Sequence, residues 1–274
     1  MFADFMINTW IAGTLVAAVA GMVGFFVVVR GASFAAHALP LGAFPGGAAA
    51  NLLGVNPLFG LLVFSGLGVI GISQLARRTR RDAATALSLV MLLGLGALFL
   101  SRTTEYSQAV YALLFGEVLG VSNEDLGPVA VLSAVSIALI VMLFRPLLLS
   151  SVSLELGEAR GVSARLMEVL FLGVVALATA MALPVVGALL VFSLMVGPAS
   201  AARALTDRPL RAMLLSAVLA VVTVWASIGL SFASDWPVGF FVGGLSAVSY
   251  GVGRAWMWGP ISRRGAPTVA AHTP

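Results

Sequence analysis

Residues 30–47 read RGASFAAHALPLGAFPGG and contain His37, the one histidine outside the last few residues of the chain. Long apolar segments flank it, and two readings are open. The imidazole is a ligand for a borderline metal such as Zn2+, or it is a packed ring satisfied by a carbonyl that Pro40 or Pro45 leaves without its helical N–H. The chain has no cysteine, so thiolate ligands and disulfides are excluded. It also has no GxxxxGK[ST] phosphate loop, no HExxH, no GxSxG elbow and no paired mid-span aspartates. A chain of this kind has no engine of its own. Uphill transport would draw on an ion gradient or on a separate ATPase.

Ion-coupled carriers place ionisable groups in mid-span, where they are costly and functional. Here Glu168 sits near the inner end of one apolar segment and His37 near the start of another, and the spans hold almost nothing else that titrates. This poverty of charge argues against proton coupling and favours a permease driven by a partner.

The elements that position these groups follow from composition. Hydrophobic residues make up 60% of the 274, charged residues 9%, and the mean hydropathy is +1.08. A soluble core cannot absorb so many long apolar stretches, each about long enough to cross roughly 30 Å of hydrocarbon as a helix. They do not alternate as barrel strands do. The leading MFADFMIN carries an acid and no base, so the first segment reads as a span and not as a signal peptide. The pattern predicts an all-α polytopic membrane protein with about nine spans, eight being possible: Asn8 to Val29, Phe34 to Gly54, Pro57 to Ala76, Ala83 to Leu100, Leu126 to Phe144, Leu166 to Leu183, Val185 to Leu205, Pro209 to Phe232 and Val238 to Met257. Tyr106 to Val121, shorter and carrying Glu117, reads as an interfacial or re-entrant helix. Residues 1–258 form the membrane domain, and 259–274, including His272, a disordered cytoplasmic tail.

All fifteen basic residues are arginine. With the N-terminus outside, every one but Arg102 falls on the inner side, which predicts an N-out, C-in orientation. Placed between spans, these arginines account for the pI of about 10.6 without any nucleic-acid partner. Asp4, Glu105, Glu117, Glu124, Asp125 and Asp235 lie on the outer side. Closely spaced glycines and alanines within the spans suit close helix packing. Between the fifth and sixth spans, SVSLELGEARGVSAR predicts a short amphipathic helix, Ser153 to Arg160, with Gly161 as its C-cap. Its position on the inner side suits docking into a partner's groove.

Three stretches carry a family likeness. LELGEARGVSAR resembles the coupling segment of the vitamin B12 and iron-siderophore permeases and, more closely, that of the zinc and manganese ABC permeases, the metal ABC-3 family. VVGALLVFSLMVGPASAARAL, Val185 to Leu205, is similar to the family's VVGALLV stretch with its following Pro-Ala. FGEVLGVSNEDL, Phe115 to Leu126, resembles its phenylalanine-glycine segment with a late aspartate. The resemblance covers about Arg30 to Met257. It implies a permease like those of type II ABC importers, in a bacterial inner or plasma membrane. Two copies would dock on two ABC ATPase subunits and receive metal from an extracytoplasmic metal-binding protein. Glu155, Gly157, Glu158, Ala159, Arg160 and Gly161 would form the coupling contact. ATP would be used by the partner, with Zn2+ or Mn2+ as cargo; the chain itself would be a transport subunit that binds no cofactor and catalyses no reaction.

The same resemblance bears on the opening segment. The metal permeases commonly carry an Arg, six residues, Asp-Ala-Leu-Ser-His and then Leu-Pro-Gly. Aligning Arg30 puts His37 at the aspartate, Pro40 at the serine and Leu41 at the histidine, and Phe44, Pro45 and Gly46 match Leu-Pro-Gly. Arg30, Pro45 and Gly46 stand where the family's frame does, and Pro40, at the serine position, completes the pathway frame, but the ligand pair is changed. A competent Zn2+ ligand occupies the first position and a residue that cannot coordinate occupies the second. Two copies of His37 could meet at a two-fold axis. Loss of the hard oxygen donor favours zinc over manganese. The alternatives are an ABC permease for a haem, siderophore or corrinoid, a stand-alone secondary carrier or channel, and a membrane enzyme, for which no catalytic constellation exists.

Overall fold

The computed structural model describes residues 4–77, 79–102, 114–116, 120–152 and 154–258; the expected tail and most of the expected re-entrant segment Tyr106 to Val121 lie outside them. Ten helices and no strand occur among the described residues. They are α1 (Asp4–Val29), α2 (Ser33–Leu53), α3 (Pro57–Leu75), α4 (Arg81–Leu100), α5 (Asn123–Val152), α6 (Leu154–Ala159), α7 (Ala164–Val186), α8 (Ala188–Leu205), α9 (Pro209–Ser234) and α10 (Val238–Trp258). All but the six-residue α6 span 18 to 30 residues. Seven of these, α2 and α10 excepted, are long and apolar enough to cross a membrane. The fold is all-helical and membrane-spanning, as the composition predicts.

Two boundaries differ from the expectation, and both turn on proline. The expected break at Pro184 is absent: α7 runs through it and ends at Val186, and Gly187 separates α7 from α8. Late in a helix, Pro184 forfeits only its own N–H bond to the preceding turn. The fifth span, expected to stop at Phe144, continues through Pro146 to Val152, so Arg145 lies within a helix and not in a loop. Elsewhere local chemistry sets the ends. Asn56 accepts from the Leu58 N–H at 2.8 Å and is followed by Pro57 at the first helical position of α3. Ser163 accepts from the Leu166 N–H at 3.4 Å at the start of α7.

Packing divides the bundle. α2, α3 and α4 pack on one another, α1 packs on α8 and α9, and α10 packs on α8; α7 contacts α3, α5 and α1 between the groups. The apolar windows of α1 and α7 are each 72% buried, against 22% for α5, so the first two form the centre and α5 faces outward. Because lipid is as apolar as leucine, close approach and hydroxyl bonds hold such helices together. The Ser216 hydroxyl of α9 donates to the Gly21 carbonyl of α1 at 2.7 Å. Between α2 and α3, Gly46 and Gly60 face each other so closely that a Cβ on either would collide with the other's carbonyl oxygen.

Candidate functional site

α2 is built from small residues and two prolines. Pro40 and Pro45 lie inside the helix, so the carbonyls one turn before each, on Ala36 and Leu41, lose their helical N–H partner. The Pro45 ring seats on α4 where Gly96 leaves room, a Cβ on Gly96 falling 2.9 Å from Pro45 Cγ. Pro40, Pro45 and Gly46 are all buried. These three frame residues thus fix the interior line of α2 against α3 and α4.

His37 is half-buried one turn into α2, and its ring meets Phe192 of α8 edge-on, with centroids 4.9 Å apart and planes at 68°. Its Nδ1 is buried without a hydrogen-bond partner. The bland expectation, an Nδ1 satisfied by a carbonyl freed by proline, is therefore not what the structure contains. Leu41 lies one turn further along and offers no donor. Among the described residues no group of three or more His, Cys, Asp or Glu side chains could hold a metal. Among the described residues one copy of the chain thus supplies a single imidazole, with a nitrogen unused in the protein interior.

Arg30 closes the inner end of this line. It lies in the three-residue turn between α1 and α2, and its Nη1 donates to the Ser150 hydroxyl at 2.9 Å, the Ser151 hydroxyl at 3.2 Å and the Leu147 carbonyl at 3.4 Å, all on the last turns of α5. The guanidinium also stands 5.2 Å from the centre of the Phe171 ring of α7. Burial lowers its affinity for the proton; nearby Glu168 acts in the opposite direction and Arg81 adds to the lowering. Beside it, Arg81 of α4 and Glu168 of α7 form an ion pair at 2.9 Å. Arg30, Phe34, Arg81, Asp82, Thr85 and Glu168 line one recess between these helices. Sequence reasoning missed Phe192, Phe171, the Ser150–Ser151 pair and the partner of Glu168, because each contact joins positions far apart in the chain with no local pattern linking them.

The segment expected to be a short helix is one. α6 covers Leu154–Ala159, and the chain leaves it through Gly161 at φ +75°, with the Gly161 N–H bonded to the Glu158 carbonyl and the Val162 N–H to the Gly157 carbonyl, both at 2.9 Å. This double bond pattern around a left-handed glycine stops the helix. Gly157 is buried, while Glu158, Ala159, Arg160 and Gly161 are exposed. A polar knob between two long apolar helices is thereby presented to solvent. Glu155 belongs to the same helix.

Comparison with known proteins places this geometry. The chain is 28% identical over 232 residues to the manganese transport system membrane protein MntC of Listeria monocytogenes, covering 84% of this chain and 82% of that protein. It is 26% identical over 270 residues to the manganese import system permease protein ScaB of Streptococcus parasanguinis, covering 98% and 95%. Its fold matches that of PsaBC from Streptococcus pneumoniae in complex with Fab, with a TM-score of 0.83 at 24% identity over 92% of this chain and 91% of that one. A family model described as the ABC 3 transport family matches residues 2–250 of the 274, and the chain belongs to that family.

Proposed function

We propose that this chain is the membrane-spanning permease subunit of an ATP-driven importer whose cargo is a divalent transition-metal ion. Two copies would work with two ABC ATPase subunits and an extracytoplasmic metal-binding protein in a bacterial plasma membrane. The observation that carries the reading is α6, a capped, solvent-facing knob between two long apolar helices at the position of the family's coupling segment. Glu155, Gly157, Glu158, Ala159, Arg160 and Gly161 form the contact with the ATPase. The lack of a phosphate-loop motif in the chain agrees with a separate motor.

His37 is the cargo contact in this proposal. Its orphaned Nδ1 supports the role, and a second copy would supply the other imidazole. The two relatives above are named for manganese, whereas an imidazole in place of a carboxylate suits zinc at least as well. Manganese is therefore the first ion to test and zinc the second. The test is uptake of radiolabelled manganese and zinc into vesicles reconstituted with this chain and its ATPase. ATP-dependent accumulation of either ion supports the reading; accumulation without the ATPase would replace it with a secondary carrier.

A further inference from the structure

We infer that Arg30 is the tie through which a movement of α6 reaches α2, which makes it a positioning residue of the transport cycle. The inference rests on the permease reading above and adds a route between the ATPase contact and the segment that bears His37.

α6 packs on the end of α5 and lightly on α7. α2, in turn, has little contact with α1 and packs on α7 and α8. Because α6 leans mainly on α5, which is not among the helices α2 packs on, a displacement carried by α5 needs a bridge to arrive at α2. Arg30 is placed as that bridge on both flanks of α6. Its Nη1 holds the last turn of α5, at Ser150, Ser151 and Leu147, just before α6 begins. Its guanidinium carbon stands 5.2 Å from the ring centre of Phe171, in the helix that follows α6.

On the other side, the turn that carries Arg30 is itself closed by backbone bonds. The Arg30 N–H bonds to the Phe26 carbonyl and the Ala32 N–H to the Val27 carbonyl, both at 2.9 Å, and the Ala36 N–H bonds to the Ala32 carbonyl at 3.0 Å. Slack is small along such a path, and His37 follows Ala36 directly. The acceptors are two hydroxyls and a carbonyl, with no carboxylate among them. Nη1 alone makes all three bonds, while the guanidinium carbon stands 5.2 Å from the Phe171 ring centre; a lysine ammonium can repeat the bonds to α5 but brings no planar group to Phe171. A physical coupling claim needs an element whose state both ends bias, so the test reads the state of α2 while the nucleotide is changed at the ATPase.

The chain has no native cysteine, so Phe34→Cys, in the first turn of α2 and on the inner recess, introduces one thiol per copy. Its reaction rate with a membrane-impermeant maleimide is measured in the assembled complex with ATPase, with and without ATP and vanadate. The expected result is a nucleotide-dependent change in rate of at least about fivefold, the low end of ordinary coupling between sites. Adding Arg30→Gln abolishes the change and Arg30→Lys restores part of it. Ser150→Ala with Ser151→Ala, which keeps Arg30 itself, serves where Arg30→Gln does not assemble, and it also abolishes the change. The inference is overturned if the nucleotide response persists without the Arg30 contacts, or if the Phe34→Cys complex shows no response at all. Metal uptake by the unaltered chain is measured in parallel. A failure of the cargo reading thus appears there, independently of the thiol response.

Discussion

Gly46 of α2 and Gly60 of α3 cross with no side chain between their backbones, and each occupies the space a Cβ on the other would need. α2 carries the frame residues Pro40 and Pro45 as well as His37, so this crossing sets how deep the whole segment sits. Gly46→Leu is expected to destabilise the folded chain by about 1–3 kcal/mol, the ordinary cost of overpacking. Gly66→Ala, in α3 with nothing within 4 Å of the added Cβ, serves as the neutral comparison. Thermal unfolding of both variants in detergent checks this, and equal midpoints would refute it.

Removing the imidazole separates cargo contact from packing. His37→Ala is expected to cut metal uptake at least tenfold, about 1.4 kcal/mol in transport-limiting free energy, while the complex still assembles and hydrolyses ATP. Unchanged uptake and unchanged metal affinity in reconstituted vesicles would end the ligand role.

The changed ligand pair can be tested by reversal. His37→Asp combined with Leu41→His recreates a carboxylate and an imidazole four residues apart, on one face of α2. Hard oxygen donors suit manganese better than imidazole does. The ratio of manganese to zinc uptake is accordingly expected to rise in the double variant. A fall, or no change, would mean that selectivity is set elsewhere.

Glu158 and Arg160 stand exposed at the end of α6, in the contact proposed to meet the ATPase. Glu158→Arg or Arg160→Glu is expected to leave the purified chain folded and to lower ATP-driven uptake more than it lowers ATP hydrolysis. The paired measurement of phosphate release and metal accumulation decides. If the two fall in step, or neither falls, the coupling assignment is wrong.

The ion pair between Arg81 and Glu168 joins α4 to α7, yet its two side chains are 68% and 24% exposed. A pair so open to water contributes no more than about 1 kcal/mol. Glu168→Gln is therefore expected to move the unfolding midpoint by less than about 3 °C. A larger loss would show that the recess it lines is more tightly closed than its exposure suggests.

Much of this architecture was legible because membranes impose length and polarity on each helix separately. Uninterrupted apolar runs located the spans, and Gly161 after a short charged stretch marked the end of α6. Proline misled at two points. At Pro184 and Pro146 the helix continues, since one missing N–H is tolerated where neighbouring helices hold the segment. The candidate site was less legible. His37 and Arg30 stood out by residue type, but Phe192, Phe171 and the Ser150–Ser151 pair meet them only through packing, and no periodicity links positions so far apart. The Nδ1 without a partner was likewise invisible, because proline predicts a free carbonyl without saying whether an imidazole can turn towards it.

α5 is 30 residues long, about 45 Å at 1.5 Å per residue, while the hydrocarbon layer is about 30 Å thick. Upright or at an ordinary tilt, a rod of this length leaves about two to three turns in all outside the apolar layer, shared between its acidic start and the end that runs into α6. The knob is thus carried on a stalk, and a small swing of the rod within lipid becomes a larger sweep at its tip. Bilayer thickness then becomes a variable of the machine: a thinner or thicker membrane would alter the lean of α5 and, with it, the rest position from which each stroke begins.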